Sequence, residues 1–123
     1  MTRGRLAKQR TRRAASARAF RLVLSTCPDM DSARRIARAL VSERLAACVN
    51  IVPVAQSIYR WRGKTESATE QLLIIKSRAR DFRALEQRLH ALHPYELPEL
   101  LAVSISDGSP GYLAWLANPD RSA

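Results

Sequence analysis

Two soft or borderline metal donors are the side chains of this sequence that most directly suggest chemistry. Cys27 stands where a predicted strand ends, and a thiolate there is a soft ligand for copper, zinc or mercury. His93 follows a predicted helix beside Pro94-Tyr95, where an imidazole could carry a proton or bind a metal at a subunit cleft. Packing at the strand end and a favourable helix-dipole interaction explain the same residues without a ligand. Two donors this far apart in sequence do not define a metal site by themselves.

Motifs of common enzyme classes are missing. The chain contains no G-x-S-x-G, no P-loop, no G-x-G-x-x-G and no C-x-x-C pair. The carboxylates offer no pairing suited to acid and base catalysis, and Asp29 is most simply a helix cap. We therefore expect no catalytic activity.

Alternating strand and helix patterns would position these residues. Short apolar runs predict strands, and apolar residues recurring every three to four positions predict helices. The predicted elements are strand 20–26, a helix ending near 45, strand 47–61 interrupted at Pro53, strand 65–75, helix 82–92, strand 100–105 and a short helix opening at Ser109-Pro110. Residues 72–75 are expected to be covered on both faces, and Cys48 is expected in the core. This βαββαβ order predicts an α+β domain of the ferredoxin-like type, with two helices on one face of a four-stranded antiparallel sheet.

The predicted hairpin is longer than the helices that would cover it. A first helix of about 15 residues spans roughly 22 Å, at 1.5 Å per residue. Hairpin arms of about 13 residues would reach roughly 43 Å, at 3.3 Å per residue. An overhanging two-stranded ribbon that displays Ile58, Tyr59 and Trp61 is marginal in water. We therefore expect it to dock on copies of the same chain, the alternative being a ribbon curled back over its own sheet.

Positive charge is concentrated at the N-terminus. The net charge is +10, but residues 1–21 hold eight Lys or Arg and no acid, which leaves about +2 for the rest. We expect a disordered basic arm at 1–19, one domain at 20–118 and a tail at 119–123. An organelle transit peptide and nucleic-acid binding through the arm are alternatives, although such charge runs are usually just solvated.

The expected location follows from what the sequence lacks. No apolar run of 18 or more residues occurs, so we expect no membrane partner. No secretory signal pattern precedes the two cysteines, Cys27 and Cys48, which we expect to be reduced thiols. These features predict a cytoplasmic protein.

Five motif blocks carry a resemblance to a known family. They are residues 26–29 (TCPD), 45–53 (LAACVNIVP), 57–64 (SIYRWRGK), 93–99 (HPYELPE) and 111–116 (GYLAWL). In this order they resemble the CutA family, the divalent-cation tolerance proteins. The resemblance implies a ferredoxin-like homotrimer in which long hairpins wrap neighbouring subunits, and a non-catalytic role linked to copper and other divalent cations.

The resemblance also implies site residues, and the chain departs from the family at two of them. Copper binding in some members is ascribed to a strand cysteine and a histidine pair; here those positions read Ser25 and Leu92-His93, with Cys27 displaced by two residues. The candidate metal ligands are therefore His93, Cys27 and Glu99. The family's subunit clefts are lined by aromatic and charged side chains, which here would be Tyr59, Trp61, Lys76, Tyr95 and Glu99. Interface packing is the alternative explanation for this second set.

Besides nucleic-acid binding through the basic arm, two functional hypotheses follow from these observations. The first is a homotrimer that binds or responds to divalent metal ions such as copper. The second is a small-molecule-binding signalling trimer whose ligand sites lie at subunit clefts.

Overall fold

The structure is a computed structural model that describes residues 16–120. Its main elements are β1 (Phe20–Cys27), α1 (Met30–Ser42), β2 (Cys48–Trp61), β3 (Lys64–Arg78), α2 (Phe82–Leu92), β4 (Leu101–Ser104) and α3 (Pro110–Ala117). This order confirms the predicted α+β, ferredoxin-like architecture. Most of the predicted basic arm, on which the nucleic-acid alternative depends, lies outside the described residues. A short 3₁₀ turn, Ala17–Ala19, leads into β1.

The four strands form one antiparallel sheet in the order β2-β3-β1-β4. Helices α1 and α2 pack on one face of it, as the amphipathic patterns predicted. The core between helices and sheet is made of fully buried side chains from both layers: Val23, Cys27, Ala33, Ile36, Leu40, Leu73, Ile75, Leu85 and Leu89. Among the described residues, no helix is long and apolar enough to cross a membrane.

Helix α1 begins where the sequence places its cap. The Asp29 carboxylate accepts a hydrogen bond from the backbone N–H of Ser32 at 2.7 Å, and this bond lowers the pKa of Asp29 below its usual value. The helix ends at Ser42, earlier than predicted, because Arg44 adopts a left-handed conformation (φ 62°). The backbone N–H of Leu45 then bonds back to the Leu40 carbonyl, a helix-ending pattern in which glycine is commoner.

The second face of the sheet is only partly covered, which corrects the expectation for residues 72–75. Leu73 and Ile75 are fully buried against the helices, whereas Leu72 and Ile74, on the opposite face, are half-buried. Helix α3 covers one end of this face through Leu113 and Leu116, which pack on Phe20. Cys48 is also half-buried rather than in the core, because it opens β2 at the sheet edge.

Strand β2 continues through Pro53, where the sequence predicted an interruption. It is an edge strand, so a residue without a backbone N–H can be accommodated there. The pairing with β3 is irregular between Val52 and Ala55, and Val54 adopts φ 59°. A β-branched residue with a positive φ is strained. The bulge therefore holds the hairpin in register at the cost of local backbone strain.

The β2–β3 hairpin is as long as the sequence predicted. Its arms contain 14 and 15 residues, whereas α1 contains 13. Arg62 and Gly63 form the tip with φ 50° and 80°, the two positive values that a tight hairpin turn requires. Beyond Val52 the ribbon pairs with no third strand of the described chain, and Ile58 is 72% exposed.

Candidate functional site

Cys27 and His93 meet at the end of the sheet from which the hairpin projects. Cys27 is the last residue of β1, and His93 directly follows α2. Both are buried, and the Cys27 Sγ lies 3.8 Å from the His93 Nε2. The fold thus joins two residues that are 66 positions apart, as the metal hypothesis required.

Both ring nitrogens of His93 already have protein partners. Nε2 lies 2.7 Å from the Thr26 carbonyl oxygen, which can only accept, so Nε2 carries a proton and donates. Nδ1 accepts a hydrogen bond from the backbone N–H of Tyr95 at 3.0 Å. Pro94 sets up this geometry, because it biases His93 toward the extended conformation that ends α2. The imidazole therefore has a defined tautomer and a fixed orientation.

The Cys27 sulfur is held as a thiol. Burial is the main cause and raises the pKa of Cys27 to about 11; the nearby carboxylates of Asp29 and Glu70 act in the same direction. A hydrogen bond with Ser32 opposes the shift only in part. At neutral pH the thiolate that would ligate a metal is therefore strongly disfavoured.

The described residues do not fit the copper ligand set that the resemblance implied. A metal between Cys27 and His93 would have to displace the proton of a buried thiol and would need a lone pair on Nε2, which instead donates to the Thr26 carbonyl oxygen. Ser25, at the family's cysteine position, is buried, and its hydroxyl donates to the Glu99 carbonyl oxygen at 2.7 Å. Within residues 16–120, no three Cys, His, Asp or Glu side chains converge as a metal site would require.

Four of the five predicted cleft residues line one large groove. The groove has a volume of about 1060 Å³ and runs between the projecting hairpin and the segment at 94–99. Tyr59 and Trp61 contribute from the hairpin, and Tyr95 and Glu99 from the opposite wall. Lys76 does not line it. The Lys76 ammonium donates to the Tyr112 hydroxyl at 3.2 Å and lies 5.4 Å from the centre of that ring.

The groove also contains Glu70, which was not among the predicted site residues. Its side chain is only 7% exposed, and its carboxylate accepts a hydrogen bond from the Tyr95 hydroxyl at 2.8 Å. Burial of the phenol, together with the bond to Glu70 and its charge, raises the pKa of Tyr95 to about 12. In the sequence, Glu70 is one of several polar residues on the returning arm. Only its place two residues before the apolar strand run could have marked it.

The groove has an acidic and aromatic character. Three of its lining residues are glutamates (Glu70, Glu96 and Glu99), and Arg62 is the one basic residue among those that line it. The Arg62 guanidinium lies 5.6 Å from the centre of the Trp61 ring, a cation–π arrangement. A groove lined by three carboxylates and several aromatic rings favours positively charged ligands over anions.

Comparisons with known proteins agree on one family. A family model described as CutA1 divalent ion tolerance protein matches residues 21–119. The "Divalent-cation tolerance protein CutA" of Thermus thermophilus is 52% identical over 95 residues, covering 77% of this chain and 92% of that protein. "Protein CutA, chloroplastic" of Arabidopsis thaliana is 44% identical over 101 residues, and the alignment covers 82% of this chain but 56% of the plant protein.

Solved structures give the same result. The crystal structure of CutA1 from Oryza sativa matches with a TM-score of 0.79 at 41% identity, covering 88% of this chain and 100% of that one. CutA from Xylella fastidiosa matches with a TM-score of 0.78 at 52% identity, covering 80% and 95%. The residues matched by the family model, 21–119, include the projecting hairpin and both walls of the groove.

Proposed function

The chain belongs to the CutA1 divalent ion tolerance family, and on that premise we propose that it is a non-catalytic homotrimer that responds to divalent cations. The single observation that carries the assembly is the apolar sheet face that the described residues leave uncovered, whereas the link to divalent cations rests on the family. Both cysteines are free thiols, which supports the cytoplasmic location that we also propose.

The uncovered face is apolar enough to require a partner. Leu101 and Val103 of β4 are 60% and 49% exposed, and they lie beside the half-buried Leu22 and Leu24 of β1. Strand β4 is also a sheet edge whose outer backbone groups pair with no strand of the described chain. An exposed apolar face next to an open edge is a typical site of subunit association.

The projecting hairpin supports the same assembly. Its distal half is a two-stranded ribbon, which is marginally stable in water unless it packs on another surface. If it packs on the next copy, each interface is heterologous and three such contacts can close a ring. The groove beside the hairpin then borders a neighbouring subunit. The choice of three subunits rests on the family resemblance.

We place the response to divalent cations at the mouth of the groove rather than at Cys27 and His93. Glu96 and Glu99 are exposed there, and neither makes an ion pair within residues 16–120. Carboxylate oxygens bind divalent cations without prior loss of a thiol proton. Residues 16–120 offer no third Cys, His, Asp or Glu that converges with them, so a neighbouring subunit would complete the ligand set.

The oligomeric state tests the assembly. Light scattering coupled to size exclusion should give a trimer for the wild type and smaller species for Val103→Asp, which places a charge on the open face. Val41→Asp is the matched control, because Val41 is similarly exposed but lies on α1. A wild type that is a folded monomer at micromolar concentration would overturn the proposal.

Calorimetric titration with Cu²⁺ tests the cation site. We expect His93→Ala to bind Cu²⁺ as the wild type does and Glu99→Gln to bind it more weakly. Glu66→Gln serves as the control, because Glu66 is exposed on the hairpin outside the groove. If His93→Ala alone loses Cu²⁺ binding, the cation site lies at Cys27 and His93 instead of at the groove.

A further inference from the structure

Glu70 is a buried acid without a cation. It is 7% exposed, its one observed hydrogen bond comes from a neutral phenol, and it makes no ion pair within residues 16–120. Burying a carboxylate is unfavourable unless a positive charge and further hydrogen bonds compensate for the lost contact with water. The side chain lines the groove, so the missing positive charge can reach it from that side.

The walls around Glu70 are suited to an organic cation. Tyr59 and Tyr95 line the same groove, and the faces of aromatic rings attract ammonium and guanidinium groups. A divalent metal ion would need several ligands converging on it besides Glu70, and within residues 16–120 no three Cys, His, Asp or Glu side chains converge in this way.

We propose that this groove binds a small organic cation, a primary alkylammonium, whose charged end pairs with the Glu70 carboxylate while its alkyl part lies against Tyr59 and Tyr95. The proposal rests on the proposed function, because the neighbouring subunit of the trimer borders the groove. An anionic ligand is disfavoured, since Lys76 contacts Tyr112 instead and the lining contains three glutamates against one arginine. The signalling-trimer hypothesis thereby acquires a ligand class.

Calorimetric titration of the full chain with n-butylammonium chloride tests the proposal. 1-Butanol is the neutral probe of the same shape, and manganese(II) chloride is the metal probe, all at one ionic strength. We expect butylammonium to bind, butanol to show no saturable binding, and manganese not to displace butylammonium. Equal binding of butylammonium and butanol would overturn the proposal, as would displacement by manganese.

Substitution of Glu70 identifies the anchor. Glu70→Gln keeps the size of the side chain and its acceptor for the Tyr95 hydroxyl but removes the charge, and we expect at least about tenfold weaker butylammonium binding. Glu66→Gln, four residues earlier on the same strand and outside the groove, should bind as the wild type does. Unchanged affinity in Glu70→Gln would sink the proposal.

Further measurements distinguish failure of a variant to fold or assemble from failure of the ligand proposal. Circular dichroism and light scattering show whether each variant folds and assembles. If Glu70→Gln does not fold, Tyr59→Leu on the exposed hairpin should weaken butylammonium binding several-fold in a folded protein. If Glu70→Gln folds but loses the trimer, the cation belongs to a neighbouring subunit and the ligand proposal is wrong. An intact wild-type trimer that binds Cu²⁺ but no amine would overturn this inference alone and leave the proposed function standing.

Discussion

Cys27 should react far more slowly with a thiol reagent in the native protein than in the unfolded chain. In a Cys48→Ser background Cys27 is the only thiol, because the chain has two cysteines. Its pKa is raised from 9.0 to about 11 by burial. At pH 8 the thiolate fraction is then lower in the native state by about a hundredfold, before steric protection adds to the effect.

The same shift makes stability depend on pH. The pKa of Cys27 is raised in the folded state. Its contribution to the free energy of unfolding is therefore fully present below pH 9.0 and is lost as pH rises through about 11. Because Cys27 is fully buried, the two-unit difference corresponds to about 2–3 kcal/mol in the free energy of unfolding. Other groups also ionise in this range, so the effect must be measured as a difference between two variants.

The assay compares Cys48→Ser with Cys27→Ala/Cys48→Ser. Urea denaturation at pH 8 to 11, at one protein concentration, should show the first losing about 2–3 kcal/mol relative to the second as pH rises. Labelling of Cys48→Ser with a chromogenic disulfide at pH 8 measures reactivity in native buffer and in urea. Native labelling within a few-fold of the unfolded rate, or a stability difference that stays constant with pH, would refute the reasoning.

Three further changes test the local structure, each by urea denaturation at fixed protein concentration. Leu85→Ala should lower the free energy of unfolding by about 2–5 kcal/mol because it opens a cavity in the core. The control Leu97→Ala, at an exposed position, should have almost no effect. Equal effects would mean that the buried face of α2 is wrongly assigned. Asp29→Ala should cost about 1 kcal/mol through loss of the cap on Ser32, and Asp31→Ala clearly less. Val54→Gly should raise stability by up to about 1 kcal/mol because it relieves the positive φ, and a decrease would show that the bulge carries no strain.

The order and type of the elements were predictable because they depend on local periodicity. The apolar stripes that contain Ile36, Leu40 and Leu85 do not change with tertiary context, and each became a core face. Pro53 was harder to interpret. A proline breaks a central strand but is accommodated in an edge strand, and only the sheet order reveals that β2 is an edge.

The candidate site was predictable in part. Cys27 and His93 were chosen for the chemistry of their side chains, and the fold does bring them together. The partners that remove them from a metal site are backbone groups, the Thr26 carbonyl and the Tyr95 N–H. Every residue has such groups, so no pattern of side chains could reveal which of them point at the imidazole.

The sequence by itself determined the family, the fold and the long hairpin, since these follow from motif order and from hydrophobic spacing along the chain. Tertiary structure alone decided that Glu70 is buried in the groove and that Lys76 is not part of it. Burial and charge pairing depend on which distant segments come within a few ångströms of a side chain, and that information exists only once the chain is folded.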